Sequence, residues 1–63
     1  MRMGDVKKVR AAGFQVFKLD IIKKAIYENA GTGAWRLYGK YDTKTEAEKN
    51  WKALMALPKN IGD

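Results

Sequence analysis

Trp35-Arg36-Leu37-Tyr38-Gly39-Lys40-Tyr41-Asp42-Thr43-Lys44-Thr45-Glu46 decides the fold, because the apolar spacing changes there from that of a strand to that of a helix. Trp35, Leu37 and Tyr41 fall on one side of an alternating run and Arg36, Tyr38 and Lys40 on the other, the pattern of a half-buried strand. Beyond it, Ala47, Trp51, Leu54 and Met55 follow the i, i+4, i+7, i+8 spacing of an amphipathic helix, predicted over residues 43–57. Thr43 followed by Glu46 is a capping box, in which each side chain satisfies a free backbone N–H of the other residue. Pro58 ends the helix, since proline has no N–H to donate and clashes with the preceding turn. Glu48 and Lys52 add an i, i+4 pair in the favourable order.

Upstream, Asn29-Ala30-Gly31-Thr32-Gly33 is rich in residues that tolerate turn geometry, so Ile22 to Glu28 and Trp35 to Tyr41 read as a β-hairpin with a longer loop. Phe14-Gln15-Val16-Phe17-Lys18-Leu19 supplies a third strand on its aromatic and β-branched content. Residues 20–27 fit two readings. Strand is preferred, but Ile21, Ile22, Ala25 and Ile26 also form a helical face behind an Asp20 N-cap. With Val6 to Ala12 as a second helix, that alternative becomes a helix-turn-helix. Met1 to Ala12 is a short helix ended by Gly13 or a loose basic arm, and residues 58–63 read as a tail. The expected architecture is α+β: a three-stranded antiparallel sheet packed against one C-terminal helix, in a single domain over 1–63.

The composition narrows function mainly by what is missing. Ser, Cys and His are all absent, which removes the usual nucleophiles and the side chain that titrates near neutrality. The seven carboxylates offer little in exchange: Glu46 and Glu48, two apart on a helix, point to different faces and cannot share a proton. Gly31-Thr32-Gly33 leads into a strand, whereas phosphate-cradling loops open a helix. No enzyme activity, metal, cofactor or small-molecule substrate is expected. The longest apolar run, Ala53-Leu54-Met55-Ala56-Leu57, falls far short of the roughly 20 residues that cross a bilayer, which predicts a soluble, cytoplasmic protein with no membrane partner.

Thirteen Lys and Arg against seven Asp and Glu leave a net charge of +6, which favours polyanionic partners. The basic residues are scattered singly or in pairs, so a binding surface has to be assembled by the fold. The candidate is the strand side carrying Arg36, Tyr38 and Lys40, joined by Lys24 and Lys18 from neighbouring strands, with Trp35, Leu37 and Tyr41 packed on Trp51 and Leu54. Such a face can place lysines on phosphates, Arg36 at a guanine edge and Tyr38 against a base or sugar. The alternative is a protein-interaction module or homodimer, since so small a core is marginal and the helix is also apolar at Ala53, Ala56 and Leu57.

The junction Gly39-Lys40-Tyr41-Asp42-Thr43-Lys44-Thr45-Glu46-Ala47-Glu48 resembles that in the N-terminal, AP2-like DNA-binding domains of phage and transposon integrases, over roughly residues 34–57. The resemblance implies three strands backed by one helix, with the sheet reading the DNA major groove. It implies sheet-face contacts at Arg36, Tyr38 and Lys40 and structural roles for Thr43 and Glu46. In those integrases a catalytic domain follows the module and here the sequence stops at Asp63, so the resemblance implies a stand-alone relative of phage or mobile-element origin.

Overall fold

The computed structural model describes residues 3–31 and 33–63. Their order is α1 (Met3–Ala11), β1 (Gln15–Asp20), β2 (Ala25–Asn29), β3 (Trp35–Lys40), α2 (Lys44–Met55) and β4 (Asn60–Gly62). The fold is α+β as expected, but the sheet has four strands in the order β3-β2-β1-β4 and is mixed. β1 pairs antiparallel with β2, and β2 with β3, whereas β4 pairs parallel with β1. The segment read as a tail thus contains a strand, and α2 is not the last element.

Residues 20–29 resolve as a turn and a strand, which rules out the helix-turn-helix. Asp20 closes β1 against Ala25, and Ile21 to Lys24 form the connecting turn. Asp20 also accepts the Lys23 backbone N–H at 3.1 Å, so its carboxylate caps a turn and not a helix. Met1 and Arg2 of the expected arm lie outside the described residues. The rest of that segment is helical to Ala11 and ends in a Schellman motif. Phe14 N–H donates to the Val9 carbonyl (2.9 Å) and Gly13 N–H to the Arg10 carbonyl (3.0 Å), with Gly13 at φ +94°.

α2 starts where its cap predicts. Thr43 has extended backbone and its hydroxyl accepts the Glu46 N–H at 3.1 Å. The returning arm of the box shifts by one residue, because the Glu46 carboxylate accepts from Asp42 N–H at 3.4 Å. At the other end, Asn60 donates its side-chain amide to the Leu54 carbonyl at 3.0 Å, satisfying a backbone group left open by the helix end. Asn60 is also the first residue of β4, so one side chain ties helix end to strand start.

Because β3 and β4 both run parallel to β1, α2 carries the chain across one face of the sheet from one edge to the other, touching β1, β2 and β4. On that face Phe17, Ile26 and Leu54 form the core, with Leu19, Tyr41, Trp51 and Met55 packed around it. Gly62 lets β4 approach, since a Cβ there would stand 2.9 Å from Trp51 Cζ2. Val16 and Asn29, paired across β1 and β2, point away from Phe17 yet are buried. α1, which contacts β1 and delivers Arg10 to the Asn29 carbonyl at 3.2 Å, covers that end of the sheet and buries Val6.

Candidate nucleic-acid interface

The orientation of β3 is set by one irregularity. Leu37 opposes Tyr27 and Gly39 opposes Ile26, so Tyr38 is an extra residue in β3: a β-bulge. A bulge moves the alternation by one position, and a one-residue shift sends every side chain beyond it to the other face. Tyr41 therefore packs against the core as the alternation predicts, and its ring lies over Gly39. Before the bulge the parity is reversed. Tyr38 faces α2, its ring 5.0 Å from Phe17 at 73°, an edge-to-face contact. Arg36 lies on the same side, opposite Glu28.

The five basic and aromatic residues singled out from the sequence are thereby divided. Arg36 and Tyr38 sit on the α2 side of β3, while Lys40, opposite Ala25, and Lys18, opposite Tyr27, sit on the side that α2 leaves open. Lys24 is on neither face of the sheet but in the turn between β1 and β2, where its carbonyl accepts the Tyr41 N–H at 2.8 Å. Trp35 and Leu37, expected in the core, are on the open side too, and Leu37 is 60% exposed. The isolated glycine within the strand, Gly39, is the sequence signal for this bulge.

What the open face assembles is Lys18, Tyr27, Trp35, Leu37 and Lys40. Lys18 Nζ stands 4.6 Å from the centre of the Trp35 ring and 5.9 Å from that of Tyr27. Each such contact contributes on the order of 0.5–1 kcal/mol at an exposed site, which offsets part of the roughly 2 kcal/mol of rotamer entropy a lysine loses when it is ordered. Lys18, Tyr27 and Trp35 are all half-buried, so the rings flank the ammonium without removing it from solvent. Asp20 lies on the same face at the turn, with its carboxylate engaged by the Lys23 N–H.

The opposite side of β3 meets α2 in a groove of about 270 Å³ lined by Tyr38, Tyr41, Asn50, Ala53, Leu54 and Leu57. The groove is open and mixed in character, with Asn50 and two tyrosines among its apolar residues, and Tyr38 is 52% and Leu57 55% exposed. The glycine loop between β2 and β3 is occupied by the chain's own groups. Asn29 Oδ1 accepts the Gly31 N–H at 2.9 Å, and Arg10, which also approaches Glu28 at 3.7 Å, packs on Gly31. Thr32 of that loop lies outside the described residues.

Among the described residues no three Asp or Glu side chains converge to hold a metal, and no helix is long and apolar enough to cross a membrane. No family model, curated protein or solved structure matches the chain.

Proposed function

We propose that this chain is a non-catalytic binding module that lays the open face of its sheet on double-stranded DNA. Lys18, Lys24 and Lys40 meet phosphates, and Trp35, Tyr27 and Leu37 lie against sugars and base edges. The observation that carries the reading is the Lys18 ammonium over the Trp35 ring and within 5.9 Å of the Tyr27 ring, on the face of the sheet opposite α2. Trp35 and Leu37 beside Lys18 and Lys40 give this face apolar contact area as well as positive charge. The major groove admits a two-stranded ribbon, and β2 with β3 is a ribbon bearing four of these side chains, Tyr27, Trp35, Leu37 and Lys40. The β1-β2-β3-α2 order also agrees with the plan of AP2-like integrase domains, with α1 and β4 as additions. The contact residues such a relationship would carry over change, however, from Arg36 and Tyr38 to Trp35 and Leu37.

The salt dependence of duplex binding tests this reading. With three phosphates neutralised, the logarithmic salt slope is about −0.9 per contact, so affinity falls about 40-fold between about 50 and 200 mM salt. Fluorescence anisotropy of a labelled duplex reads it directly. No binding at the lower salt, or binding indifferent to salt, removes the proposal.

The groove between β3 and α2 favours a second reading, a protein-interaction module or homodimer, because it leaves Tyr38 and Leu57 exposed on the other side of the molecule. Sedimentation equilibrium tests the dimer form: a mass that stays monomeric at high concentration excludes it.

A further inference from the structure

The turn joining β1 and β2 has more structure than a connection requires. Its four residues, Ile21 to Lys24, are fixed by Lys24 N–H to the Ile21 carbonyl (3.3 Å) and Lys23 N–H to Asp20 Oδ1 (3.1 Å). They are fixed again by Tyr41 N–H on the Lys24 carbonyl, which brings the end of β3 alongside. At the tip of this turn Ile22 is 81% exposed, more than any other large apolar side chain among the described residues. Lys23 and Lys24 follow it directly. Lys24 adopts φ +54°, a left-handed conformation in which glycine would be unstrained, so a cationic side chain is kept there against the local backbone preference. Lys24 itself is half-buried behind the exposed Ile22 and Lys23, and backbone strain kept at such a position points to use of the turn.

We infer that this tip is an apolar wedge with cationic shoulders, which enters the minor groove of duplex DNA with Ile22 against a base step and Lys23 and Lys24 on the flanking phosphates. The inference rests on the DNA reading above and extends it, since the turn follows the Asp20–Ala25 pair, next to the end of the open face where Lys40 lies opposite Ala25. Isoleucine is among the side chains that wedge between base steps, unstacking them and bending the duplex away from the minor groove. The tip is one apolar residue wide, which suits a groove about 6 Å across. An anionic membrane is the other surface with matching charge. A single isoleucine buries much less apolar surface than one acyl chain, and one acyl chain already binds bilayers only marginally.

The experiment uses the full chain and a duplex containing flexible TA steps, labelled at its ends with a donor and an acceptor. The wild type is expected to bind and to shorten the end-to-end distance. Ile22→Ser, at a position too exposed to affect folding, is expected to bind about tenfold more weakly, to lose the bend and to keep the salt slope, because no phosphate contact is removed. Lys23→Ala is expected to reduce that slope by about 1. If the wild type binds and Ile22→Ser binds as tightly with the same bend, the wedge is refuted while the open-face reading stands. If the wild type does not bind duplex at low salt, both fail. Ile22-dependent co-sedimentation with phosphatidylserine vesicles, with no DNA bend, would overturn the inference in favour of a membrane contact.

Discussion

Replacing Gly62 by alanine tests the strand that the sequence conceals. The added Cβ would lie 2.9 Å from Trp51 Cζ2, 3.2 Å from Met55 Sδ and 3.3 Å from Trp51 Cη2. Favourable carbon contacts begin at about 3.5 Å, so something must move. The backbone cannot withdraw freely, because Gln15 N–H to the Lys59 carbonyl and Asp63 N–H to the Phe17 carbonyl, each 2.8 Å, hold β4 to β1 on both sides of the glycine. Trp51 cannot swing freely either, since its ring packs on the Phe17, Ile26 and Leu54 cluster. Overpacking of this kind costs about 1–3 kcal/mol. Loss of glycine's freedom in the unfolded chain returns about 0.4–1 kcal/mol, leaving a net cost of about 1–2 kcal/mol. In a domain of this size each kcal/mol moves the melting temperature by about 4–8 °C, so Gly62→Ala should melt about 5–15 °C lower by circular dichroism. Gly4→Ala is the control, with nothing within 4 Å of the added carbon, and should melt at or slightly above the wild-type temperature. If Gly62→Ala melts at the wild-type temperature or higher, residues 58–63 are a tail and β4 is wrong.

Further predictions follow from the same geometry. Thr43→Ala removes the side-chain acceptor for Glu46 N–H and should cost about 1 kcal/mol in urea unfolding. Ile26→Ala, at a fully buried site, should cost about 2–5 kcal/mol and leave little folded protein, whereas Leu37→Ala should change stability by less than about 0.5 kcal/mol; equal effects would contradict the face assignment. Lys24→Gly relieves the left-handed backbone and should raise stability by about 0.5–1 kcal/mol while weakening duplex binding, and weaker binding with no gain in stability would contradict a strained lysine at the tip.

The parts of the fold that the sequence reveals are those where one local signal dominates. Thr43, Glu46 and the Ala47–Trp51–Leu54–Met55 stripe define α2 without help from the rest of the chain. The strands emerge the same way, although their limits move by a few residues: β2 begins at Ala25 and not at Ile22. β4 is invisible for a physical reason. Asn60-Ile61-Gly62 is too short to show alternation, and its pairing with β1 depends on α2 first spanning the sheet. The candidate site was half legible. Lys18 and Lys40 lie on the open side and Lys24 is in the turn beyond β1 and β2, but Arg36 and Tyr38 exchange places with Trp35 and Leu37 because the bulge at Tyr38 shifts the alternation. Tyr41 and Lys40, beyond the bulge, keep their predicted sides, so simple alternation gave the right faces at one end of the strand and the wrong ones at the other.

The most direct test of the central claim is a titration of the ¹⁵N-labelled protein with duplex DNA, followed by amide NMR. The account predicts that the largest shifts fall on Lys18, Tyr27, Trp35, Leu37 and Lys40 and extend to Ile22 through Lys24, with Ala53 and Leu57 of the opposite groove unmoved. Shifts concentrated on Tyr38, Ala53 and Leu57, or no shifts at low salt, would contradict it.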